Sequence, residues 1–282
     1  MRRKPSVVPF AFLFFLVFSL APGSGHGSPP QGAPASEAPG EVRLDLNYLK
    51  GYVNDTARIV TAPARWREQE WLTAAALSSA VVVLYAYDQD IRDWTLRRRG
   101  VTTDLVSRYT KPLGEGWYTL PALGLFGVYG YAVDDQRPRR AALLGVESFV
   151  ISGVFTQVLK YATHRHTPDE SGRYDKWDGP SFSSDRLSFP SGHAQTAFSI
   201  ATVITSEYDH AAVAPVAYGL AALTALSRVN DDCHWASDVL VGSLIGYFTA
   251  KAVVGLHRKK GPWGLAPARV GRGAGLAASY RF

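Results

Sequence analysis

The chain has 282 residues, 46% of them hydrophobic, a formal net charge of +6 and a single cysteine, Cys233. That length accommodates one large domain or two small ones, and the apolar content is ample for a core. One cysteine excludes an internal disulfide framework. A modest positive charge with arginines scattered through turns suits anionic substrates or a lipid surface, and nothing in the chain resembles a nucleic-acid-binding module.

Residues 1–27 open with Arg2, Arg3 and Lys4, run through an apolar stretch from Val7 to Ala21 and end in small residues. This is the grammar of a secretory signal, too short for an easy membrane span, so export is expected. Residues 28–60 are expected as a flexible leader, rich in Pro, Ala, Gly and Ser at its start, with Leu44, Leu46, Leu49 and Val53 lining one side of a short helix near its end. Residues 61–260 carry six apolar segments, at 72–87, 117–133, 141–159, 194–205, 212–226 and 239–255, each bounded by Gly, Pro or charge. Their lengths indicate helices and predict an all-α, six-helix up-down bundle with two long loops, 88–116 and 163–189. The second loop is polar, contains Gly172, Gly179 and Pro180, and is positioned to cover a pocket and sort substrates. Residues 261–282 form a Gly-rich tail in which Leu276, Ala278, Tyr280 and Phe282 alternate with other residues. A short strand folding back on the bundle, or a loose tail, is expected there rather than the closing strand of a barrel.

Three stretches carry the chemistry. In 227–238, His234 and Asp238 are four residues apart at the start of an apolar helix, so both fall on one face, where a carboxylate can fix the imidazole tautomer. Arg228, across a short polar turn, offers a planar fork of donors suited to phosphate. In 188–193, Pro190, Ser191, Gly192 and His193 precede another apolar helix, where free amides, a hydroxyl and a ring make a cradle for an oxyanion. In 160–168, Lys160 and Arg165 follow an apolar helix. Each stretch alone has a plainer reading, as a surface hydrogen bond, an N-cap or charges complementing a helix dipole. Hairpin connectivity nevertheless brings the end of the third segment, the start of the fourth, the end of the fifth and the start of the sixth to one end of the bundle. His164 and His166 are expected as solvated loop residues.

Together and in this order, the three stretches resemble the type 2 phosphatidic acid phosphatase superfamily, which also holds bacterial acid phosphatases and vanadium haloperoxidases. Its signature is Lys, six residues, Arg-Pro; then Pro-Ser-Gly-His; then Ser-Arg, five residues, His, three residues, Asp. Residues 190–193 match the second motif, and Ser227, Arg228, His234 and Asp238 match the third. In the first, Lys160 and Pro168 are in place but Thr167 stands where the family has Arg, so Arg165 is the candidate stand-in.

The resemblance implies a phosphatase in which Lys160, Ser191, Gly192, Arg228 and Arg165 bind phosphate oxygens. His234, oriented by Asp238, forms a phosphohistidine, and His193 protonates the leaving oxygen. No metal or other cofactor is implied. The substrates implied are phosphorylated lipids, diphosphates or small phosphoesters. The alternatives are a vanadium-dependent haloperoxidase and a non-catalytic bundle that binds phospholipid.

Segment 194–205 is only 12 residues, about 18 Å of helix against a hydrocarbon core of about 30 Å. If all six segments spanned and the signal exported residues 28–71, the motif end would face the cytoplasm. An exported bundle, periplasmic or attached to a membrane surface, is therefore the expectation, with an integral membrane protein as the alternative.

Overall fold

The computed structural model describes residues 44–258, 263–270 and 273–280. The expected signal at 1–27 and the first part of the expected leader lie outside these residues. In chain order the elements are α1 (Leu46–Val60), a 3-10 turn (Ala62–Arg65), α2 (Glu68–Ala86), α3 (Asp88–Arg98), α4 (Val101–Thr110), a second 3-10 turn (Lys111–Gly114), α5 (Gly116–Ala132), α6 (Gln136–Thr163), the one-turn α7 (Pro168–Ser171), α8 (Gly192–Glu207), α9 (Val213–Asn230) and α10 (Ala236–Leu256). Then β1 (Trp263–Val270) pairs antiparallel with β2 (Gly273–Tyr280), Trp263 lying opposite Tyr280 and Val270 opposite Gly273.

The six apolar segments are α2, α5, α6, α8, α9 and α10, so the protein is all-α through residue 256, as expected. The helices run past the apolar runs because polar residues continue them. α6 starts where the Asp135 carboxylate accepts from the Arg137 amide at 2.9 Å, and buried Arg140 pairs with Glu207 of α8 at 3.0 Å.

Two expectations need correction. Residues 88–116 are not a long loop: α3 and α4 fill most of it, and both lack the apolar run that marks the bundle helices. The short helix expected near the end of the leader is α1, capped by the Asp45 carboxylate, which accepts from the Tyr48 amide at 2.7 Å. Its leucine side is the outer one: Leu46, Leu49 and Val53 are exposed, whereas Asp55 and Ile59, four residues apart, are buried. The expected tail strand, β2, does not stand alone: it pairs with β1, a second strand just before it in the tail.

The core forms where α6, α8 and α10 meet, around Leu144, Ile151, Leu159, Val203, Val241, Ile245 and Val253. α8 is faced with small residues, Ala194, Ala197 and Ala201 among them, all buried. α10 approaches it backbone to backbone at two glycines one turn apart. A Cβ on Gly242 would lie 2.2 Å from the Ser191 carbonyl oxygen, and one on Gly246 would lie 2.1 Å from that of Gln195. This contact seats the first turn of α8 against the first turns of α10, where two of the three motifs lie.

Gly242→Ala should lower unfolding stability by about 1–3 kcal/mol through overpacking. Gly124→Ala, where a Cβ meets nothing within 4 Å, should leave stability unchanged or raise it by about 0.5–1 kcal/mol. Thermal or denaturant unfolding of both variants checks this; equal losses would show that the glycine contact is not what matters at 242.

Candidate active site

The site is built from helix ends. After α9, residues 231–235 turn the chain, with the Arg228 carbonyl accepting from the amides of Cys233 (3.1 Å) and His234 (3.2 Å). Asp232 in this turn has φ +58°, and Arg92 of α3 grips its carboxylate with Nε and Nη2, both at 2.6 Å. Such a two-pronged contact fixes direction as well as distance, so it sets where His234 leaves the turn. The Trp235 indole N–H donates to the His166 carbonyl at 2.9 Å, tying the turn to the segment after α6.

Asp238 is fully buried at the first turn of α10. Its Oδ2 accepts from the Trp235 amide at 3.0 Å and from the Ser188 hydroxyl at 2.6 Å, and its Oδ1 accepts from Arg165 Nη1. His234 Nδ1 lies 3.9 Å from Asp238 Oδ2, within ion-pair range but longer than a hydrogen bond. Catalytic contacts are often this long before substrate is bound. The i, i+4 spacing therefore juxtaposes the two groups as the sequence suggests.

Arg165 is not where the sequence led us to expect it. Its side chain has no exposed surface. Nη2 donates to Asp88 Oδ2 at 2.7 Å and to the Tyr174 carbonyl at 2.9 Å, while Nη1 donates to Ser237 Oγ at 2.8 Å as well as to Asp238. The guanidinium is also packed against the rings of Tyr85, Trp177 and Trp235 at 4.8–5.4 Å. With its donors committed to two buried carboxylates, it has none to spare for a phosphate. Its place is behind the His234–Asp238 pair, as the counter-charge that lets Asp238 stay ionised away from water. Thr167 stands at the start of the one-turn α7, where its side chain makes no capping hydrogen bond.

The remaining predicted residues come together. Ser191 is the N-cap of α8, its amide donating to the Asp238 carbonyl at 3.0 Å, and its buried hydroxyl has no hydrogen-bond partner. A Cβ on Gly192 would meet no atom within 4 Å, which leaves the backbone there approachable. Lys160, near the end of α6, donates to the Leu187 carbonyl just before the Pro190 turn. Arg228 is buried, with Nη1 3.2 Å from Asp231 and Nε unpartnered. Lys160 and Arg228 are both near enough for their charges to act on His234, and Arg228 and His234 near enough to act on His193. Burial pushes the His234 pKa below the ordinary histidine value, so the ring is uncharged at neutral pH.

Four contributors escaped the sequence reading. Asp88 receives the amide of Ser237 at 2.9 Å as well as the guanidinium of Arg165. Glu115 Oε1 lies 3.5 Å from His193 Nε2. Ser188 and Arg92 complete the set. Asp88 and Glu115 both stand at the boundary between an apolar run and a polar one, on the motif end of the bundle, and a search for carboxylates to balance Lys160, Arg165 and Arg228 would have found them. His164, expected in solvent, is instead buried at the left-handed end of α6 with φ +41°, its ring between the carbonyls of Tyr161 and Ser183. His166 is partly exposed and 3.0 Å from Asp178.

Two tests follow from this arrangement. Arg165→Ala strands two buried carboxylates and should cost about 3–5 kcal/mol of stability, read by unfolding; a phosphate-binding arginine would instead raise KM on an intact fold. Because the His234 pKa is lowered, the ring stays neutral as pH falls through the ordinary value of about 6.5. Inactivation by diethyl pyrocarbonate, which needs an uncharged ring, should thus persist below that pH; a rate halved at about 6.5 would contradict it.

Residues 141–262 match the profile of the PAP2 superfamily. A PA-phosphatase related-family protein of Dictyostelium discoideum is 30% identical over 141 residues, 45% of this chain and 52% of that protein. The lipid A 1-phosphatase of Porphyromonas gingivalis is 43% identical over 61 residues, 21% of this chain and 14% of that protein. The chain thus spans about half, or less, of the length of these curated relatives. Among solved structures, a transmembrane PAP2 type phosphatidylglycerolphosphate phosphatase of Bacillus subtilis aligns with a TM-score of 0.48 at 21% identity, covering 64% of this chain and 94% of that one. LpxE of Aquifex aeolicus aligns with a TM-score of 0.47 at 21% identity, covering 59% and 93%. The stretch that matches the PAP2 superfamily, residues 141–262, carries Lys160, Ser191, Gly192, His193, Arg228, His234 and Asp238.

Proposed function

We propose that the protein is a phosphatase that hydrolyses a phosphate ester or diphosphate carried on an apolar tail, through a phosphohistidine on His234. The observation that carries this reading is the set of buried polar atoms without hydrogen-bond partners around the motif residues: Ser191 Oγ, Arg228 Nε, His193 Nε2 and His234 Nδ1. Buried polar atoms are rarely left unpaired. A tetrahedral phosphate supplies acceptors for the hydroxyl and the guanidinium, with Lys160 and the amides at the start of α8 completing the cradle.

The steps use this chain's own groups. His234 Nε2 attacks phosphorus while Asp238 holds the Nδ1 side, and the bond from phosphorus to the ester oxygen breaks. The leaving oxygen takes a proton from His193, whose Nε2 lies 3.5 Å from Glu115 Oε1. Water then attacks the phosphohistidine and gives a proton back to His193; the phosphorus–nitrogen bond breaks and inorganic phosphate leaves. Lys160, Ser191 and Arg228 stabilise the charge on the non-bridging oxygens throughout.

The apolar tail is read from a groove of about 1050 Å³ that opens beside His193, lined by Trp117, Phe149, Val150, Val154, Val158 and Phe182 among others. Phe182 sits in the loop expected to sort substrates and is fully exposed. We further propose that the bundle lies in a bilayer, which favours the integral alternative over the soluble one. By length and composition α6 and α10 can each cross a membrane, and α2 with α3, bent by 60°, forms a third candidate. Large apolar side chains face outward on neighbouring helices, including Trp117 (90% exposed) and Leu125 (72%) on α5 and Val216 (59%) and Leu226 (61%) on α9. Exposed apolar surface of this extent is unusual in water.

Purified protein should release phosphate from lipid phosphates, and His234→Ala should abolish both release and the acid-labile phosphoenzyme. His193→Ala should slow alkyl esters by about 10²–10⁴ but p-nitrophenyl phosphate far less, since that leaving group needs no proton. Along a series of alkyl phosphates kcat/KM should rise with chain length, by up to about fourfold per buried methylene. A flat series would remove the lipid assignment, and turnover by His234→Ala would remove the nucleophile. Vanadate should inhibit; halide oxidation on adding vanadate would favour a haloperoxidase.

A further inference from the structure

At the other end of the bundle, three side chains from separate elements meet: Asp55 of α1, Glu147 of α6 and His257, directly after α10. One donor atom from each lies within 4.8 Å of the others. Glu147 precedes Lys160 by 13 residues on the same helix, which is about 20 Å along its axis, so this cluster is remote from the phosphate pocket.

Glu147 has no exposed surface and Asp55 very little, and a carboxylate pair sealed in this way is costly unless a cation sits with it. His257 Nε2 is 3.1 Å from Glu147 Oε2 and 3.3 Å from Asp55 Oδ2. An imidazolium serving as the ion-pair partner would aim its Nε2–H at one of these oxygens. Here Nε2 makes a hydrogen bond with neither, and Glu147 Oε1 is likewise buried and unpartnered. The two separations are close to the edge of a tetrahedron, about 3.3 Å, spanned by ligands with bonds of about 2.0–2.1 Å to a central ion. The Tyr48 hydroxyl donates to Glu147 Oε2 at 2.7 Å, the outer contact that commonly orients a ligating carboxylate.

We propose that Asp55, Glu147 and His257 form a binding site for one divalent transition cation of the zinc class. The imidazole nitrogen among the donors selects against magnesium and calcium, which take oxygen ligands. Two carboxylates and a ring leave a fourth position for water. Because the three ligands come from α1, α6 and the end of α10, the ion clamps α1 across the end of the bundle. This site owes nothing to the phosphatase assignment and stands or falls separately.

The test uses full-length, tag-free protein stripped with a chelator and titrated with Zn²⁺ alone by calorimetry, and with Co²⁺ alone by its visible absorption. One ion should bind per chain, Tm should rise with added zinc, and the cobalt spectrum should be that of a four-coordinate nitrogen and oxygen site. Tyr48→Phe should weaken binding by about tenfold, and Glu147→Gln and His257→Gln by more. Should Glu147→Gln not fold, His257→Gln, whose ring is partly exposed, carries the comparison. Absence of saturable binding, or binding unchanged in His257→Gln, would overturn the proposal.

Discussion

The buried carboxylate of Asp238 is the point on which the motif end of the bundle depends. Its donors come from three places in the chain: Arg165 after α6, Ser188 before α8, and the amide of Trp235 at the head of α10. The backbone carbonyl of the same residue receives the Ser191 amide. One ionised group therefore holds the loop after α6, the cradle of α8 and the turn bearing His234 in mutual register. Keeping that group ionised without water requires a cation, and Arg165 fills that need while Asp88 balances the arginine's second prong. In the proposed mechanism, the Asp238 carboxylate behind His234 favours an imidazolium on that ring.

The front of the site has the opposite character. Lys160, Arg228 and the start of α8 present positive charge and free dipoles around both histidines, with Glu115 beside His193 as the exception. Negative charge behind and positive charge in front polarise the pocket along the line from Asp238 through His234, the direction in which a ring nitrogen would meet an electrophilic phosphorus. Beside this polar axis the groove wall is almost entirely apolar, which is the division that the proposed substrate, a phosphate on an apolar tail, would use.

Much of this was legible in the sequence because it depended on spacing within helices and on hairpin order. His234 with Asp238, and Ser191 with His193, needed only those two facts. Arg165 misled because its position, two residues from the missing motif arginine, says nothing of direction; the turn from His164 at φ +41° sends it inward, away from the cradle. Asp88 and Glu115 were missed because each lies at a helix start that pattern reading placed in a loop. α3 and α4 were hard to see for a shared reason: they dock through a few buried polar groups, Asp88 in one and Ser107 and Thr110 in the other, not through an apolar stripe.

The paired glycines of α10 also bear on how such a scaffold adapts. Where two helices touch through their backbones, no layer of side chains remains between them to be trimmed, enlarged or tilted. The pedestal beneath both histidines is thereby frozen against gradual remodelling. In the proposed phosphatase, accommodating a bulkier or differently shaped leaving group falls instead to the stretch around Phe182, a fully exposed side chain on the groove wall that can be exchanged without disturbing the helices beneath it.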